Sequence, residues 1–226
     1  MQKFMQDISY EFKNMDLLTT AFTHSSYANE NNTQSYERLE FLGDSILSFI
    51  VSTQLFASKE NILEGEMSKL RAAIVCEKSL DECAKKLNFG NYLILSKGEE
   101  LTGGRNRASI LADVFEALLA AIYIDSGFEE AEKFVLTQLG DAIEKARKGV
   151  PLYTDFKTEL QEIVQGKGRK VSYIHVGEDG PAHCKTFTVQ VFYNDKVISE
   201  ASGNSKKEAE QNAARLAIKE VKNGEI

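Results

Sequence analysis

Apolar residues in the first two thirds of the chain recur at steps of three and four, which is the period of an amphipathic helix. The stretches that show this period are 17–22, 41–50, 66–87, 109–124 and 129–147. Glycines separate them, and no pair of alternating apolar and polar segments lies between them. The pattern predicts an all-helical (all-α) domain over residues 1–148.

The period changes beyond Pro151. A helical stripe over 156–164 is followed by VSYIHV, TFTVQVF and KVISEA, three segments that alternate as strands do. A helix, three strands and a helix in that order predict a small α+β domain (α-β-β-β-α) over 153–222. Because proline fixes φ and the residue before it avoids the helical region, we expect a linker at 149–152.

The turn before the third strand and the helix after it carry more specific signals. Asn194 and Asp195 are typical turn residues between two strands. The final helix begins at Ser205, where Glu208 three residues later completes a capping box. The residues that this helix is predicted to bury are Ala209, Ala213, Leu216, Ala217 and Val221.

Composition narrows the class of protein. Apolar residues make up 42% and charged residues 27% of the 226-residue chain, as in ordinary globular domains. No uninterrupted apolar run approaches the ~18 residues of a membrane helix, since Asp113 and Glu116 break the best candidate, and the first residues do not resemble a secretory signal. Three cysteines without CxxC spacing and three scattered histidines argue against a disulfide framework and a zinc site. We expect a cytoplasmic protein without a membrane partner.

The net charge of −7 at first opposes a nucleic-acid partner. Residues 1–150 hold 16 lysines and arginines against 23 aspartates and glutamates, whereas residues 151–226 hold 11 of each kind. The acidic excess therefore lies in the helical domain, where it can serve specific chemistry. The second domain can still carry a local basic face.

The segment ERLEFLGDS (37–45) contains an acidic face. Glu37, Glu40 and Asp44 follow one another at steps of three and four, which places them within an arc of about 60° on a helix. Like charges so close repel one another, and their apolar neighbours indicate a partly buried setting. An isolated pair of acids at this spacing is usually a solvated helix face, so these residues alone leave the question open.

A second acidic pair favours a functional site over a solvated helix face. The segment 109–125 is apolar nearly all round, as buried helices are, yet it contains Asp113 and Glu116 on one face. No lysine, arginine or histidine lies between Arg107 and Lys133 to neutralise them. Because burying unpaired carboxylates costs several kcal/mol, we expect a divalent metal with oxygen ligands where this helix packs against the first acidic face.

Glu64 in LEGEMSKLRA is a further candidate, although an acid at a helix start is often only a partner of the helix dipole. A metal bound by carboxylates with little histidine indicates magnesium-type chemistry on phosphates. The competing interpretation is a carboxylate-bridged di-iron bundle, which pairs glutamate with a histidine at i+3, and no E-x-x-H occurs here. The P-loop lookalike GEELTGGR lacks the Lys-Ser/Thr pair.

Together these segments resemble bacterial ribonuclease III. The runs ERLEFLGDS, LEGEMSKLRA, GGR (103–105) and SILADVFEALLAAIYIDSG match its nuclease domain motif by motif. The resemblance implies an endonuclease that depends on Mg²⁺, with Mn²⁺ as a possible substitute, and that cuts both strands of double-stranded RNA. Its products would carry 5′-phosphates, 3′-hydroxyls and short 3′ overhangs. The expected substrates are ribosomal RNA precursors, with messenger and transfer RNA precursors as further targets.

Carried over by position, the resemblance gives roles to individual side chains. The implied metal ligands are Glu40, Asp113 and Glu116. Asp44, together with Glu116, is implied to position the attacking water. Glu37 and Glu64 match further acidic positions of the cleft. The resemblance also implies a homodimer, with Phe41 beside the acids as the expected interface residue.

The second domain, over about 153–222, resembles the double-stranded-RNA-binding domain in three successive elements. The polar residues expected to meet 2′-hydroxyls in the minor groove are Thr158, Gln161 and Glu162. His183, in the turn GPAH, is expected to enter a second minor groove. Lys206 and Lys207 lie in the first turn of the last helix, where cations are unfavourable unless an anion such as phosphate shares the site. Taken alone, each of these polar residues is more often simply solvated.

Three classes of function compete for these residues. A nuclease of this family needs all of its acids, which here are Glu40, Asp44, Asp113 and Glu116. A non-catalytic dimer that only binds double-stranded RNA would be expected to have lost one or more of them. A metal-storage or redox bundle lacks histidine ligands and leaves the second domain unexplained. We therefore expect the nuclease.

Overall fold

The two kinds of pattern in the sequence build two separate cores, one within residues 1–152 and one within residues 153–226. The computed structural model describes residues 2–58, 62–150, 156–165, 170–180, 185–194 and 196–222. The predicted linker at 149–152 lies partly outside these residues, so its extent stays a prediction.

Helices alone build the first core. Their bounds are α1 Gln2–Asp7, α2 Met15–Ala21, α3 Ser25–Asn31, α4 Glu37–Phe56, α5 Glu64–Ile74, α6 Glu77–Lys86, α7 Lys97–Leu101, α8 Ala108–Ser126 and α9 Phe128–Arg147. Two 3₁₀ turns, Phe89–Asn91 and Gly104–Asn106, lie among them. In the described part of this unit, strand-type pairing is limited to an isolated parallel bridge between Thr23 and Ile94. The prediction of an all-helical domain is confirmed.

One stretch with a continuous helical period consists of two helices. The pattern over 66–87 is unbroken, but α5 ends at Ile74 and α6 begins at Glu77. Cys76 between them has an extended backbone with a ψ of 154°, which is not a helical value. Both helices present their buried faces to the same core. The apolar period therefore continues across the interruption and does not reveal it.

The two acid-bearing helices form the centre of the first unit. In α8, Val114, Phe115 and Leu118 are fully buried, as expected of a helix that is apolar nearly all round. In α4, Leu47 and Ile50 are fully buried on the face that packs against α8. The hydrophobic contact between these helices therefore brings their acidic residues to one place.

α4 also reaches the length and mean hydropathy of a membrane-crossing helix, and it is the one helix to do so in the part of the chain that the structure describes. The expectation from the sequence concerned only uninterrupted apolar runs, and α4 is not such a run because it contains Glu40 and Asp44, although it meets this measure of length and hydropathy. The helix reaches it because its charged residues are concentrated near its start. Its later residues Leu47, Ile50 and Val51 are fully buried in the core of the unit.

The second core combines a sheet with two helices. Its elements are α10 Phe156–Gln165, β1 Val171–Asp179, β2 Thr186–Tyr193, β3 Lys196–Gly203 and α11 Lys206–Lys222. The strands are antiparallel in the order β1-β2-β3, so the predicted α-β-β-β-α order is confirmed. Asn194 has a left-handed backbone with a φ of 46° after β2, as a turn residue there requires. Its predicted partner in the turn, Asp195, lies outside the described residues.

The buried face of α11 differs from the predicted stripe at one position. Leu216 is 36% exposed, whereas Ala214 and Ile218 are buried. At 100° per residue the buried arc is centred near Ala217, and Leu216 lies about 20° beyond its edge. The prediction that Leu216 is buried was therefore wrong.

Candidate functional site

α4 and α8 approach each other at a glycine. Gly43 lies between Glu40 and Asp44 on α4 and faces the backbone of Glu116 on α8. A Cβ atom added at Gly43 would stand 1.9 Å from the carbonyl oxygen of Glu116 and 2.5 Å from its carbonyl carbon, far inside any van der Waals contact. The lack of a side chain at Gly43 therefore permits the approach that brings the acids of the two helices together. We call this place the acidic crossing.

The charges at the acidic crossing are of one sign. Burial of the Glu116 side chain, together with repulsion from nearby carboxylates, raises its pKa to about 8. Those carboxylates are Asp44, Glu40 and Asp113. Burial, followed by repulsion from neighbouring acids, also raises the pKa of Glu40. The raised pKa favours the protonated form of Glu116 at neutral pH, and Glu40, Asp44, Asp113 and Glu116 interact with one another.

Tyr36 adds a polar contact that the sequence analysis missed. Its hydroxyl donates a hydrogen bond of 3.4 Å to Oδ2 of Asp113, and its side chain is almost fully buried. Burial is the largest cause that raises the pKa of Asp113, and the bond from Tyr36 opposes it. The His24 ring lies 5.7 Å from the Tyr36 ring between centroids, and its attraction also lowers the Asp113 pKa. An aromatic residue just before a helix normally indicates packing alone. The position of Tyr36 in the sequence therefore does not predict its hydrogen bond to Asp113.

The remaining predicted acids fall into two places. Asp44 is exposed and contributes to the raised pKa of Glu116. Glu37 is also exposed, accepts a hydrogen bond of 2.8 Å from a serine hydroxyl, and adds to the repulsion on Glu40. Glu64 instead lines a groove between α4 and α5, to which none of the other predicted acids contributes. Glu37 thus interacts with the acids of the acidic crossing, whereas Glu64 lines a groove of other residues and its role in the cleft stays a prediction.

The donor chemistry of the acidic crossing suits a hard divalent cation. All of its donors are carboxylate oxygens, which Mg²⁺ and Mn²⁺ prefer. Burial, followed by repulsion among the acids, raises the pKa values of Glu40 and Glu116, and a cation would relieve the repulsion. Among the residues that the structure describes, however, no three Asp, Glu, His or Cys side chains stand close enough together to hold one ion. The roles of Glu40, Asp113 and Glu116 as metal ligands therefore stay predictions that rest on donor chemistry.

The outward face of α4 carries large aromatic residues. Phe41 is 79% exposed, Phe56 is 80% exposed and Phe49 is 58% exposed. At 100° per residue the three lie within an arc of about 80°, and we call them the aromatic stripe. The Phe49 ring contacts the Phe128 ring edge-on, with centroids 5.7 Å apart. Single exposed apolar residues are common, whereas three large aromatic residues on one side of a helix favour an interaction surface.

In the second unit, the predicted groove-facing residues of α10 point away from the core. Leu160 is fully buried against the sheet and α11, whereas Gln161 and Glu162 are exposed. Thr158 is exposed on the same helix. These three side chains are thus accessible, while His183 lies outside the described residues.

The start of α11 exposes both predicted phosphate-binding lysines, Lys206 and Lys207. The Ser205 hydroxyl oxygen accepts a hydrogen bond of 3.1 Å from the backbone N–H of Glu208, as in the predicted capping box. The Glu208 carboxylate accepts a bond of 2.8 Å from the N–H of Asn204, one residue earlier than the usual box. The helix start is therefore well defined, and both lysines project from its first turn.

Comparison with protein families matches both units separately. The family model described as Ribonuclease-III-like matches residues 14–143, and the model described as double-stranded RNA binding motif matches residues 156–221. The fold and the acidic crossing thus belong to a class of protein in which a helical nuclease domain is joined to a double-stranded RNA binding domain.

Relatives over the whole chain agree with this class. The chain is 49% identical over 219 residues to Ribonuclease 3 of Caldanaerobacter subterraneus subsp. tengcongensis, with 96% of each chain covered. It is also 49% identical over 216 residues to Ribonuclease 3 of Clostridium tetani, with 95% of this chain and 92% of that protein covered. The chain belongs to the ribonuclease III family and is an endoribonuclease that acts on double-stranded RNA.

A solved structure resembles the first unit. The nuclease domain of ribonuclease III from Campylobacter jejuni, described for structural flexibility in a region involved in dimer formation, is 41% identical to this chain. The two superpose with a TM-score of 0.59 over 62% of this chain and 96% of that one. Because the solved structure is a nuclease domain alone, the likeness concerns the helical unit.

Proposed function

We propose that this chain is a homodimeric endoribonuclease that requires Mg²⁺, for which Mn²⁺ can substitute, and that hydrolyses both strands of double-stranded RNA. The products have 5′-phosphate and 3′-hydroxyl ends with short 3′ overhangs. The proposed substrates are precursors of ribosomal RNA, with some messenger and transfer RNA precursors, in the cytoplasm. The observation that carries the proposal is the acidic crossing, where Glu116 interacts with three other carboxylates, in a chain that also has a double-stranded RNA binding motif.

The partly buried acids of the crossing have the first role in this mechanism. Glu40, Asp113 and Glu116 would hold the cation. A bound cation of this kind supplies Lewis-acid polarisation of the scissile phosphate and lowers the pKa of water beside it. Because Glu116 has a pKa of about 8, it must lose a proton before it can act as a ligand at neutral pH. Cation binding should therefore release protons and strengthen as the pH rises.

Asp44 has the second role, together with Glu116. Asp44 is exposed and lies close enough to Glu116 to raise its pKa, so it can accept a hydrogen bond from a water molecule in the cleft and orient it. The water oxygen forms a bond to phosphorus while the bond from phosphorus to the 3′ oxygen breaks. One water proton passes to Asp44, and the 3′ oxygen takes up a proton from solvent. The phosphate stays on the 5′ end of the downstream fragment.

A dimer follows from the symmetry of the substrate. The strands of a duplex are antiparallel, so their scissile phosphates are related by a local twofold axis, and a C2 dimer presents two acidic crossings in matching orientations. The aromatic stripe supports this arrangement, because Phe41 directly follows Glu40 and is 79% exposed. The dimer-formation region described for the nuclease domain from Campylobacter jejuni supports a dimer in the same family.

The second unit holds the duplex in this proposal. Thr158, Gln161 and Glu162 meet 2′-hydroxyls and base edges in the minor groove, and His183 enters a second minor groove. Lys206 and Lys207 bind phosphates across the major groove between them. The exposure of the described members of this set supports that role.

The first test is cleavage of a long RNA duplex with and without Mg²⁺. We expect short double-stranded products that carry 5′-phosphates and 3′ overhangs only when Mg²⁺ is present. Duplex that is bound but remains uncut in Mg²⁺ would leave a non-catalytic double-stranded RNA binding dimer as the function.

The second test asks whether one acidic crossing serves one strand. A heterodimer of the wild-type chain and a Glu116→Gln chain should nick one strand of a duplex labelled on both and leave the other intact. Denaturing and native gels run side by side distinguish the nick from a double-strand cut. Clean double-strand cuts by the purified heterodimer would rule out the mechanism, and complete inactivity would indicate one composite site.

A further inference from the structure

A carboxylate lies between two lysines near the end of β1. Oε2 of Glu178 accepts a hydrogen bond of 3.0 Å from the Lys185 ammonium group, and Oε1 of Glu178 lies 3.7 Å from the Lys206 ammonium group. Lys185 precedes β2 and Lys206 begins α11, so the three side chains come from three separate parts of the fold. Their side chains are 44%, 46% and 59% exposed for Lys185, Glu178 and Lys206, so an incoming anion can reach the lysines.

The sheet and the start of α11 hold this cluster together. Glu178 pairs with Phe187 across β1 and β2, and the Lys206 ammonium group stands 5.8 Å from the centre of the Phe187 ring. Phe187 pairs in turn with Gly203 on β3. A Cβ atom added at Gly203 would stand 2.6 Å from the backbone nitrogen of Ala209. The lack of a side chain at Gly203 therefore lets α11 start close to the sheet, within reach of Glu178.

Glu178 supplies an anion that Lys206 otherwise lacks. A positive charge in the first turn of a helix is unfavourable, because the helix dipole is positive there. The hydrogen bond from Lys185 and the attraction of both ammonium groups lower the pKa of Glu178, so it is ionised at neutral pH. An RNA phosphate offers the same two lysines an anion in the same place, with charge-assisted hydrogen bonds of the same kind.

We propose that Glu178 is an internal stand-in for an RNA phosphate, which holds Lys185 and Lys206 in position in the free protein and releases them to the duplex. The inference rests on the double-stranded RNA binding that is part of the proposed function. It adds Lys185 to the phosphate contacts and makes Glu178 a residue that lowers affinity. Exposed ion pairs are weak, so a duplex that places phosphates near both lysines displaces the carboxylate, whereas a single free anion gains little.

The test measures binding of the full chain to a perfect RNA duplex over a range of salt concentrations, in EDTA so that no cleavage occurs. Glu178→Gln removes the competing charge and should tighten binding by about threefold, the size expected for an exposed ion pair. Lys185→Ala should weaken binding and flatten the slope of log K against log salt by roughly one unit.

Matched variants separate this effect from a general change of net charge. Glu200→Gln removes the same charge from β3, where the carboxylate accepts a hydrogen bond of 2.6 Å from Gln190. Lys196→Ala removes a lysine at the start of β3, which pairs with Tyr193 at the end of β2 that lies away from Lys185. Both should bind nearly as the wild type does. In a double variant, Glu178→Gln should gain less when Lys185→Ala is also present, because one of the lysines that it frees is gone.

Either of two outcomes would contradict the proposed role of Glu178. One is that Glu178→Gln binds the duplex no more tightly than Glu200→Gln. The other is that Lys185→Ala has the affinity and salt slope of Lys196→Ala. Thermal unfolding followed by circular dichroism checks that each variant is folded at the binding temperature. A wild type that failed to bind the duplex would contradict the proposed function itself, whereas tight wild-type binding with unresponsive variants would contradict the stand-in alone.

Discussion

The acidic crossing of the first unit and the charged surface of the second unit arrange their side chains in opposite ways. At the acidic crossing carboxylates face carboxylates, and the pKa of Glu116 rises to about 8. In the second unit acids face lysines: Nζ of Lys157 lies 2.6 Å from Oε2 of Glu210, and Nζ of Lys222 lies 2.9 Å from Oε1 of Glu159. The acidic crossing therefore holds uncompensated charge, although the surface of the first unit carries ion pairs such as that of Lys85 with Asp81, whereas these acids of the second unit are paired with lysines.

This difference matches what each unit has to bind. A site that binds a metal cation has to hold acids together with no lysine or arginine to neutralise them. The repulsion between these acids lowers the stability of the metal-free fold. A surface that takes phosphates can keep its lysines in weak pairs, because one anion then replaces another. Stability and function should therefore oppose each other in the first unit and be nearly independent in the second.

The largest effect should come from removing one charge at the acidic crossing. Glu116→Gln keeps the size of the side chain but removes a proposed metal ligand, so duplex cleavage should fall by about three orders of magnitude or more. Binding of duplex RNA should persist because it depends on the second unit. A denaturing gel measures cleavage, and a gel shift measures binding.

Glu82→Gln is the matched control for this prediction, because Glu82 is an exposed glutamate on α6 of the same unit. It should cleave as the wild type does. Full cleavage by Glu116→Gln would contradict the proposed role, and a joint loss of cleavage and binding would show that the two units do not divide these tasks.

The acidic crossing should also be sensitive to one methyl group. In Gly43→Ala the new Cβ atom would stand 1.9 Å from the backbone oxygen of Glu116, so α4 and α8 must move apart. We expect the free energy of unfolding to fall by roughly 1–3 kcal/mol, and cleavage to fall with it. Urea denaturation measures the first effect.

Gly140→Ala in α9 provides the control, since its added Cβ would meet nothing within 4 Å. Alanine there should raise the free energy of unfolding by about 0.5–1 kcal/mol. If Gly43→Ala were as stable as Gly140→Ala, the helices would not approach each other as closely as the structure has them.

The helices that carry the acids were predictable from the sequence, but the contacts between them were not. α8 stands out because an apolar pattern nearly all round encloses Asp113 and Glu116. Local periodicity cannot pair Gly43 with Glu116, or Tyr36 with Asp113, because these partners meet only when two distant segments pack together. The groove that Glu64 lines likewise depends on the packing of α4 against α5, which the motif around Glu64 does not reveal.

The second unit has the same limit. The exposed lysines of α11 follow from residue type and position, whereas the contact of Lys206 with Glu178 depends on the register of the sheet. Leu216 was assigned to the core because a short apolar stripe does not define where a buried arc ends. Patterns along a chain predict elements and residue types, and tertiary packing decides which of them touch.

A smaller effect is expected from the lysines of the second unit. Replacing Lys206 and Lys207 together by alanine should weaken duplex binding about tenfold and flatten the slope of log K against log salt by roughly one to two units. Stability should change little, because both side chains are exposed. Replacing Lys196 and Lys219, which are also exposed, removes the same charge as a control. An unchanged salt slope for the first variant would exclude these lysines from the interface.

The smallest expected effect is the change that Glu116 causes in the pH dependence of the free energy of unfolding. The pKa of Glu116 is raised from 4.5 to about 8 in the folded protein. A raised carboxyl pKa stabilises the fold fully below the unfolded value, and this contribution is lost as the pH rises through the folded value. The metal-free protein should therefore lose stability between those two pH values. Because the side chain is only partly buried, we expect a loss of about 1 kcal/mol rather than the larger amount that the shift alone implies.

The comparison that isolates this loss is urea unfolding of the wild type and of Glu116→Gln in EDTA, at about pH 5 and about pH 9. Glu40 and Asp113 titrate in both proteins, so the difference between the two free energies of unfolding follows Glu116. The wild type should be the more pH-sensitive of the two, and Mg²⁺ should restore more stability to it than to the variant, because a cation replaces the lost proton. If the difference between the two free energies of unfolding did not change with pH, Glu116 would already be ionised at neutral pH. The contrast between the acidic crossing and the paired charges of the second unit would then disappear.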